Sequence, residues 1–322
     1  MARFGYTMMC EQSRPDQLVR DLQSAEQAGF DFSVISDHYA PWLDSQGHSG
    51  YAWSILGAAA QATEAIPLMT YVTCPILRYH PAVVAQKAAT MQILSGGRFR
   101  LGLGAGENLN EHVVGERWPM VGERHEMLAE AVEIIAALFD GDGPVNFRGR
   151  HYEVESAVLY DLPEQRVPIG IAVSGPDSCR LAGAHADAMI AVQPEAELGD
   201  LFDAAGGLGK PRIGQAAICW DTDRDEAVRR AHEQFRWFGF GWKVMADLPN
   251  PTAFEAASRY VTPEDVAEGI SCGPDVQTHV EAVKAYLDAG FDEVALVQIG
   301  ADTQADFCSW AEQELLPALR AL

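Results

Sequence analysis

The sequence predicts an α/β protein, a (β/α)8 TIM barrel that forms a single domain over residues 1–322. Short apolar strands alternate with amphipathic helices along the chain, and about eight such strands fit into 322 residues. A Rossmann-like open sheet is the alternative. It is disfavoured because the glycine-rich stretch GLGAGEN (102–108) follows a strand without opening a well-patterned helix or matching a dinucleotide-binding fingerprint.

The strands are predicted from short apolar runs that end at glycine, proline or polar residues. In chain order they are RFGYTMM (3–9), FDFSVIS (30–36), IPLMTYVTC (66–74), RFRLGLG (98–104), PIGIAV (168–173), DAMIAV (187–192), RIGQAAICW (212–220) and DEVALVQI (292–299). Such runs are typical of parallel strands that are buried on both faces.

The helices between them are predicted from apolar residues that recur with a period near 3.6. They are 16–29, 51–63, 81–95, 123–139, 176–186, 224–238 and 276–290. Gly29 ends the first helix, and Pro81 occupies the first turn of the third.

Two segments interrupt this alternation and are predicted to be insertions on the barrel. Residues 144–163 indicate a β-hairpin, because HYEVE alternates and a glycine precedes it at the turn. Residues 239–262 form a longer irregular stretch, which is typical of an active-site wall or of a packed decoration.

The composition excludes several kinds of partner. The formal charge of −23 argues against nucleic acid and against anionic membranes. The sequence shows no signal peptide and no apolar run long enough to span a membrane, so a cytoplasmic protein is expected. The six cysteines are scattered without metal-like spacing, so we expect reduced packing thiols and no metal site.

The candidate site lies where the strands end, because the carboxyl ends of all barrel strands meet on one face. The residues that follow the second, fourth and fifth strands are Asp37, His38 and Trp42; Ala105, Gly106, Glu107 and Asn110; and Ser174 and Gly175. A carboxylate, an imidazole and an indole together suit proton transfer beside a flat ring. The alternative is that Asp37 and His38 are solvated at the strand end or cap the next helix, and that Glu107 is an exposed acid after a strand.

The stretch Ser174–Gly175–Pro176 predicts an anion-binding device. It follows a strand and opens a helix at Pro176, so that free amides at the helix start can hold a phosphate without lysine. The alternative is an ordinary helix cap by Ser174.

Four stretches resemble one family. AGFDFSVISDHYAPW (28–42), the 71–111 stretch from YVTCP to GAGENLNE, VPIGIAVSGP (167–176) and AGFDEVALVQIG (289–300) resemble the luciferase-like superfamily. Within it they are similar to the deazaflavin (coenzyme F420) dependent dehydrogenases that act on glucose 6-phosphate. The resemblance implies a (β/α)8 barrel, usually a homodimer, with F420 at the carboxyl-end mouth and a small-molecule substrate.

The resemblance also implies roles for individual residues. His38 would take the substrate hydroxyl proton, Glu107 would serve a proton on the reduced ring, and Trp42 would shape the site. Tyr71 and Val72 fall where the family has a non-prolyl cis peptide against the ring. The implied cofactor contacts are Asp37, Tyr71, Val72, Cys74, Ala105, Gly106, Asn110, Ser174, Gly175, Asp177 and Ser178.

The substrate end departs from the sugar-phosphate enzymes. Glu195 stands where the resemblance implies a phosphate-binding lysine, and Val192, three residues earlier, is expected at the same end of the site. Of the basic residues in the following insertion, Lys243 and Arg259 are the only ones retained. A glutamate there would repel a phosphate, so a non-phosphorylated alcohol or carbonyl compound is expected. The aromatic residues of the same region, which would line a less polar pocket or pack the insertion, are Trp237, Phe238, Phe240, Trp242, Phe254 and Tyr260.

Three functions therefore remain open from the sequence. The first is an F420-dependent oxidoreductase that acts on CH–OH donors. The second is an FMN-dependent monooxygenase of the same superfamily, disfavoured by the set of Asp37, His38, Trp42 and Glu107. The third is a non-catalytic F420-binding protein.

Overall fold

A computed structural model, which describes residues 2–322, confirms the predicted barrel. Its eight parallel strands are β1 (Arg3–Met8), β2 (Phe32–Ile35), β3 (Leu68–Thr70), β4 (Phe99–Leu103), β7 (Ile169–Ala172), β8 (Ala188–Ala191), β9 (Arg212–Cys219) and β11 (Glu293–Gln298). They pair in this order, β8 pairs with β9, and β11 closes the ring on β1. A short strand β10 (Ser271–Cys272) pairs with the end of β9.

The helices surround this barrel. They are α1 (Pro15–Ala28), α2 (Ala52–Ala62), α3 (Pro81–Leu94), α4 (Asn108–Glu111), α5 (Val121–Asp140), α6 (Pro176–His185), α7 (Ala196–Phe202), α8 (Arg224–Phe235), α9 (Trp242–Met245), α10 (Pro251–Ala257), α11 (Pro263–Gly269), α12 (Val276–Asp288), α13 (Gln304–Trp310) and α14 (Leu316–Arg320). The seven predicted helices are all present. The helices that the sequence pattern did not predict are α4, α7, α9, α10, α11, α13 and α14.

Local chemistry sets the ends of the predicted helices. Pro15 starts α1 and Pro81 starts α3, at a position where a helix leaves its amides unpaired anyway. The His80 ring accepts a hydrogen bond from the Ala82 amide and caps α3. At the end of α1, Gly29 adopts a φ of 88°, which only glycine reaches without steric cost.

The barrel interior is filled by apolar side chains with one ionic group at the amino end. Residues from several strands form this inner cluster: Phe32, Val34, Met69, Tyr71, Ala188, Ile190, Ile213 and Ala295. Below them, Glu293 accepts from Arg3 at 2.8 Å and from Arg100 at 2.7 Å. The amino end of the barrel interior is therefore occupied by these side chains, and the large cavity described below opens at the carboxyl end.

Both predicted insertions are present. The first is an antiparallel hairpin of β5 (Val145–Arg148) and β6 (Glu153–Ala157). The second, residues 239–262, consists of the short helices α9 and α10 joined by turns. Within residues 2–322, none of the helices is both long enough and apolar enough to cross a membrane. All six cysteines are buried as free thiols.

Candidate active site

A cavity of about 550 Å³ opens at the carboxyl ends of the barrel strands. It brings together all the catalytic and cofactor-binding residues predicted from the sequence, and Val192 of the predicted substrate contacts. Those that line it are Asp37, His38, Trp42, Tyr71, Val72, Cys74, Ala105, Gly106, Glu107, Asn110, Ser174, Gly175, Asp177, Ser178 and Val192. The cavity has the size of a small-molecule or cofactor site.

His38 lies between two carboxylates. Its Nδ1 is 2.8 Å from Oε1 of Glu11, and its Nε2 is 3.6 Å from Oε2 of Glu107. The first contact is short but lacks the alignment of a hydrogen bond, so it acts as an ion pair. Glu11 is almost fully buried and is held by the Ser36 hydroxyl, which donates to its Oε2 at 2.6 Å.

These contacts set the charges of the three groups. Burial opposes the charged form of His38, but the carboxylates of Glu11 and Glu107 outweigh it and raise its pKa to about 9. Burial raises the pKa of Glu107 to about 7 against the opposing charge of His38. Burial opposes the ionised form of Glu11, but the attraction of His38 and the hydrogen bonds to its carboxylate, including that from Ser36, together outweigh burial and lower its pKa. At neutral pH, His38 is thus protonated, Glu11 is ionised and Glu107 is close to half-protonated.

Asp37 stabilises the cavity wall behind His38 by accepting several hydrogen bonds. Its carboxylate accepts hydrogen bonds from the Trp53 indole at 3.0 Å, the Thr73 hydroxyl at 2.7 Å and the Tyr79 hydroxyl at 3.2 Å. Arg78 approaches the same carboxylate at 3.3 Å. Because these protein groups already occupy its buried oxygens, Asp37 serves mainly to fix the loop that carries His38.

Arg78 and Glu111 form a second buried ion pair at the cavity, which the sequence analysis missed. The Arg78 Nε lies 3.4 Å from Glu111 Oε1, and its backbone amide donates to the other carboxylate oxygen at 2.8 Å. Glu111 belongs to α4, one turn after Glu107. Arg78 thus supplies a fixed positive charge close to the catalytic candidates.

An aromatic cluster covers the side of the cavity next to His38. The Trp42 ring lies 5.0 Å from the His38 ring, and it stacks on Trp237 at 4.3 Å. Phe254 packs edge-on against Trp42 from behind. Phe238 and Trp242 also line the cavity. This wall is apolar and rigid, and it suits an uncharged ligand.

Small residues form another part of the cavity wall. Val72, Gly104, Ala105 and Gly106 line the cavity, and the peptide bond between Tyr71 and Val72 is cis, where the resemblance implies one. Gly106 has a φ of 77°, and a Cβ atom there would collide with the Cys74 Sγ. The turn at residue 106 therefore requires glycine, and this part of the wall carries only small side chains and backbone.

The start of α6 lies at another part of the cavity. Ser178 accepts from the Ser174 amide at 3.0 Å and donates to the Gly175 carbonyl at 2.9 Å, which fixes the turn. The first amides of a helix have no partner within it, and the helix dipole favours an anion there. Arg124 and His125 line the same cavity, so cationic and polar groups supplement the amides.

Several residues predicted for the substrate end lie elsewhere. Glu195 precedes α7, is exposed to solvent and does not line the cavity. Tyr260 is 83% exposed, and the Arg259 guanidinium lies over its ring outside the cavity. Only Lys243 of the two retained cations lines the cavity. Glu195 therefore does not face a ligand in the cavity. The expectation of an uncharged substrate rests instead on the aromatic cluster.

The chain belongs to the luciferase-like monooxygenase family, whose sequence pattern it matches over residues 2–293. Together with the closed parallel barrel and the site at its carboxyl end, this match defines the class of protein. The predicted resemblance is thereby confirmed.

Among its relatives are F420-dependent enzymes. The chain is 36% identical to the F420-dependent hydroxymycolic acid dehydrogenase of Mycobacterium tuberculosis, over 98% of this chain and 88% of that protein. It is 35% identical to the F420-dependent glucose-6-phosphate dehydrogenase of Nakamurella multipartita, over 99% and 97%. A solved F420-dependent secondary alcohol dehydrogenase in complex with an F420-acetone adduct superimposes with a TM-score of 0.91 at 28% identity, covering 99% of both chains.

Proposed function

We propose that this protein is an F420-dependent oxidoreductase that transfers a hydride between the deazaflavin and a non-phosphorylated alcohol or its carbonyl product. One observation carries the proposal: His38 lies between Glu11 and Glu107 at the wall of a cavity that the small residues Val72, Gly104, Ala105 and Gly106 also line. The full-length similarity to several F420-dependent dehydrogenases supports the choice of cofactor.

The residues of the cavity fit F420. Small residues, among them Gly104 and Gly106, line one part of the cavity and suit a flat ring. The start of α6, with Ser174 and Ser178, suits the cofactor phosphate, and Asn110 would be available to contact the rest of the cofactor from the cavity wall. Bound F420 supplies a two-electron hydride acceptor.

His38 is the group that moves the substrate proton. In alcohol oxidation its neutral form takes the hydroxyl proton at Nε2, while Glu11 stabilises the imidazolium that results. In the reverse direction the protonated ring donates that proton to the carbonyl oxygen. Because its pKa is about 9, His38 is protonated at neutral pH and can donate its proton when a carbonyl compound is reduced. For alcohol oxidation, His38 must first lose that proton.

Glu107 is suited to hold the second proton of the reaction. It faces His38 across 3.6 Å, and the Asn110 amide donates to its Oε2 at 3.3 Å. With a pKa near 7 it exchanges a proton readily at physiological pH. Trp42 excludes water from the space between these groups.

The aromatic cluster supports an uncharged substrate. Trp42, Trp237 and Phe238 line the cavity beside His38, and Val192 lies on its wall. An apolar wall makes favourable contacts with an apolar alcohol or ketone, whereas it provides no positive charge to bind a phosphate.

We further propose a cytoplasmic homodimer. The six buried thiols suit a reducing compartment. Val83, Ile93 and Leu94 of α3 are exposed apolar residues, which suits a helix face covered by a second copy. Analytical ultracentrifugation tests the dimer, and a monomer at micromolar concentration would contradict it.

A fluorescence titration of the purified protein tests the cofactor. We expect F420 to bind at least about tenfold more tightly than FMN or NADP, with modest weakening by salt because helix amides hold the anion. Tighter binding of FMN would favour the monooxygenase alternative. F420 binding without turnover of any alcohol would favour the non-catalytic alternative.

A further inference from the structure

Two loops from distant parts of the barrel meet over the cavity. Residues 242–247 belong to the insertion that follows β9 and α8, whereas residues 104–125 follow β4. Strands β4 and β9 are separated by β7 and β8 around the ring. Both loops line the same cavity, so their contact closes it on one side.

Asp247 is the centre of this contact. Its Oδ1 accepts from the Trp118 indole at 3.0 Å and from Arg124 Nη1 at 3.3 Å. Its backbone carbonyl accepts from the Asn108 side chain at 3.1 Å. The Arg124 side chain is only 6% exposed, and its guanidinium lies over the Trp118 ring at 4.3 Å from the centroid. We name this set of contacts the Asp247 latch.

The Asp247 latch is connected to Glu107 through a backbone hydrogen bond of the neighbouring residue, Asn108. The Asn108 amide, at the first position of α4, donates to the Ala246 carbonyl at 2.9 Å. That amide has no partner within its own helix, so the insertion provides its acceptor. Glu107 immediately precedes Asn108, and its position therefore depends on the insertion staying closed.

We propose that Asp247 is a positioning residue that, by holding residues 246–247 against the start of α4, keeps Glu107 shielded from water and facing His38. The inference rests on the proposed function for its catalytic meaning. The structural effect on Glu107 is independent of it.

An opened latch would change the ionisation of Glu107 in a known direction. The charged groups that face Glu107 are His38, Glu11, Glu111 and Arg78, and burial is the largest influence on its pKa. None of these four belongs to the latch. Water admitted at the latch would stabilise the carboxylate, and the pKa would fall from about 7 toward the ordinary value of 4.5.

Infrared titration of the cofactor-free full chain measures this directly. The carboxyl band that disappears in Glu107→Gln identifies Glu107, and its midpoint is followed in Asp247→Ala and Asp247→Asn. Asp288→Ala is the matched control, because Asp288 is similarly exposed and forms a surface ion pair with Lys284 on α12, away from the cavity lining. We expect a midpoint well below 7 in Asp247→Ala. Asp247→Asn should remain near the wild type, since its amide oxygen still accepts from Trp118.

The kinetic counterpart is a split between kcat and KM. Asp247→Ala should lower kcat for F420 reduction about tenfold while changing the alcohol KM less, because the proposed role of Asp247 is to position Glu107 through Asn108. An unchanged Glu107 midpoint in Asp247→Ala, or an equal shift in Asp288→Ala, would overturn the proposal. A wild-type protein that titrates as expected but reduces no F420 would contradict the proposed function alone.

Discussion

At the residue scale, the order of charges along the cavity wall sets the direction in which the site works best. Glu11, His38 and Glu107 come from the ends of β1, β2 and β4, and each changes the ionisation of the next. The buried carboxylate of Glu11 keeps His38 protonated at neutral pH. The resting site is therefore prepared to donate a proton to a carbonyl.

Removal of the imidazole tests its role. His38→Ala should lower kcat for alcohol oxidation by a factor of about 100 to 10,000, the usual contribution of a positioned base, while F420 affinity stays nearly unchanged. Steady-state kinetics and fluorescence titration of the same preparation measure both quantities. An unchanged kcat would reassign His38 to a structural role.

The pH profile tests the ion pair. Since His38 must be neutral to accept a proton, kcat/KM for oxidation should rise with pH up to about 9, and carbonyl reduction should decline over the same range. Glu11→Gln removes the nearest negative charge, so the pKa of His38 falls and both transitions move to lower pH. Transitions at the wild-type pH in Glu11→Gln would exclude this origin for the raised pKa.

At the element scale, the turn after β4 forms part of the cavity wall and also places Glu107. Gly106 serves both roles, because its φ of 77° turns the chain and its lack of a side chain avoids Cys74. The turn leads directly into α4, whose first residue is fixed by the insertion. The turn at Gly106, the carboxylate of Glu107 and the contact with the insertion therefore lie within a few residues of one another.

A single methyl group tests this turn. Gly106→Ala should lower the free energy of unfolding by about 2 kcal/mol, through the left-handed backbone and the collision with Cys74. Gly57→Ala is the matched control: it lies inside α2 with nothing within 4 Å of the added carbon, so it should gain up to about 1 kcal/mol. Urea denaturation compares the two, and equal effects would contradict the argument.

At the scale of the whole molecule, the barrel was largely predictable. Strands buried on both faces appear as continuous apolar runs, and all eight were found from them, from 3–9 to 292–299. The C-terminal helices were missed because Gln304–Trp310 and Leu316–Arg320 are short and joined by a wider turn, which blurs the helical period.

The site was predictable where motifs follow strands and less so where partners are distant in sequence. His38, Trp42 and Glu107 were identified in this way. Glu11 was missed although it also follows a strand, because its partner lies 27 positions away and only the barrel joins them. Glu195 was placed wrongly, since loop geometry beyond β8 is not encoded in the resemblance.

The most direct test of the proposed function is steady-state F420 reduction, followed by its absorbance, across a panel of apolar secondary alcohols, short alcohols and sugar phosphates. The apolar wall of Trp42, Trp237 and Phe238 predicts that uncharged apolar alcohols give the highest kcat/KM. If glucose 6-phosphate is instead the best substrate, the reading of the wall is wrong, and a cation such as Lys243 must hold the phosphate.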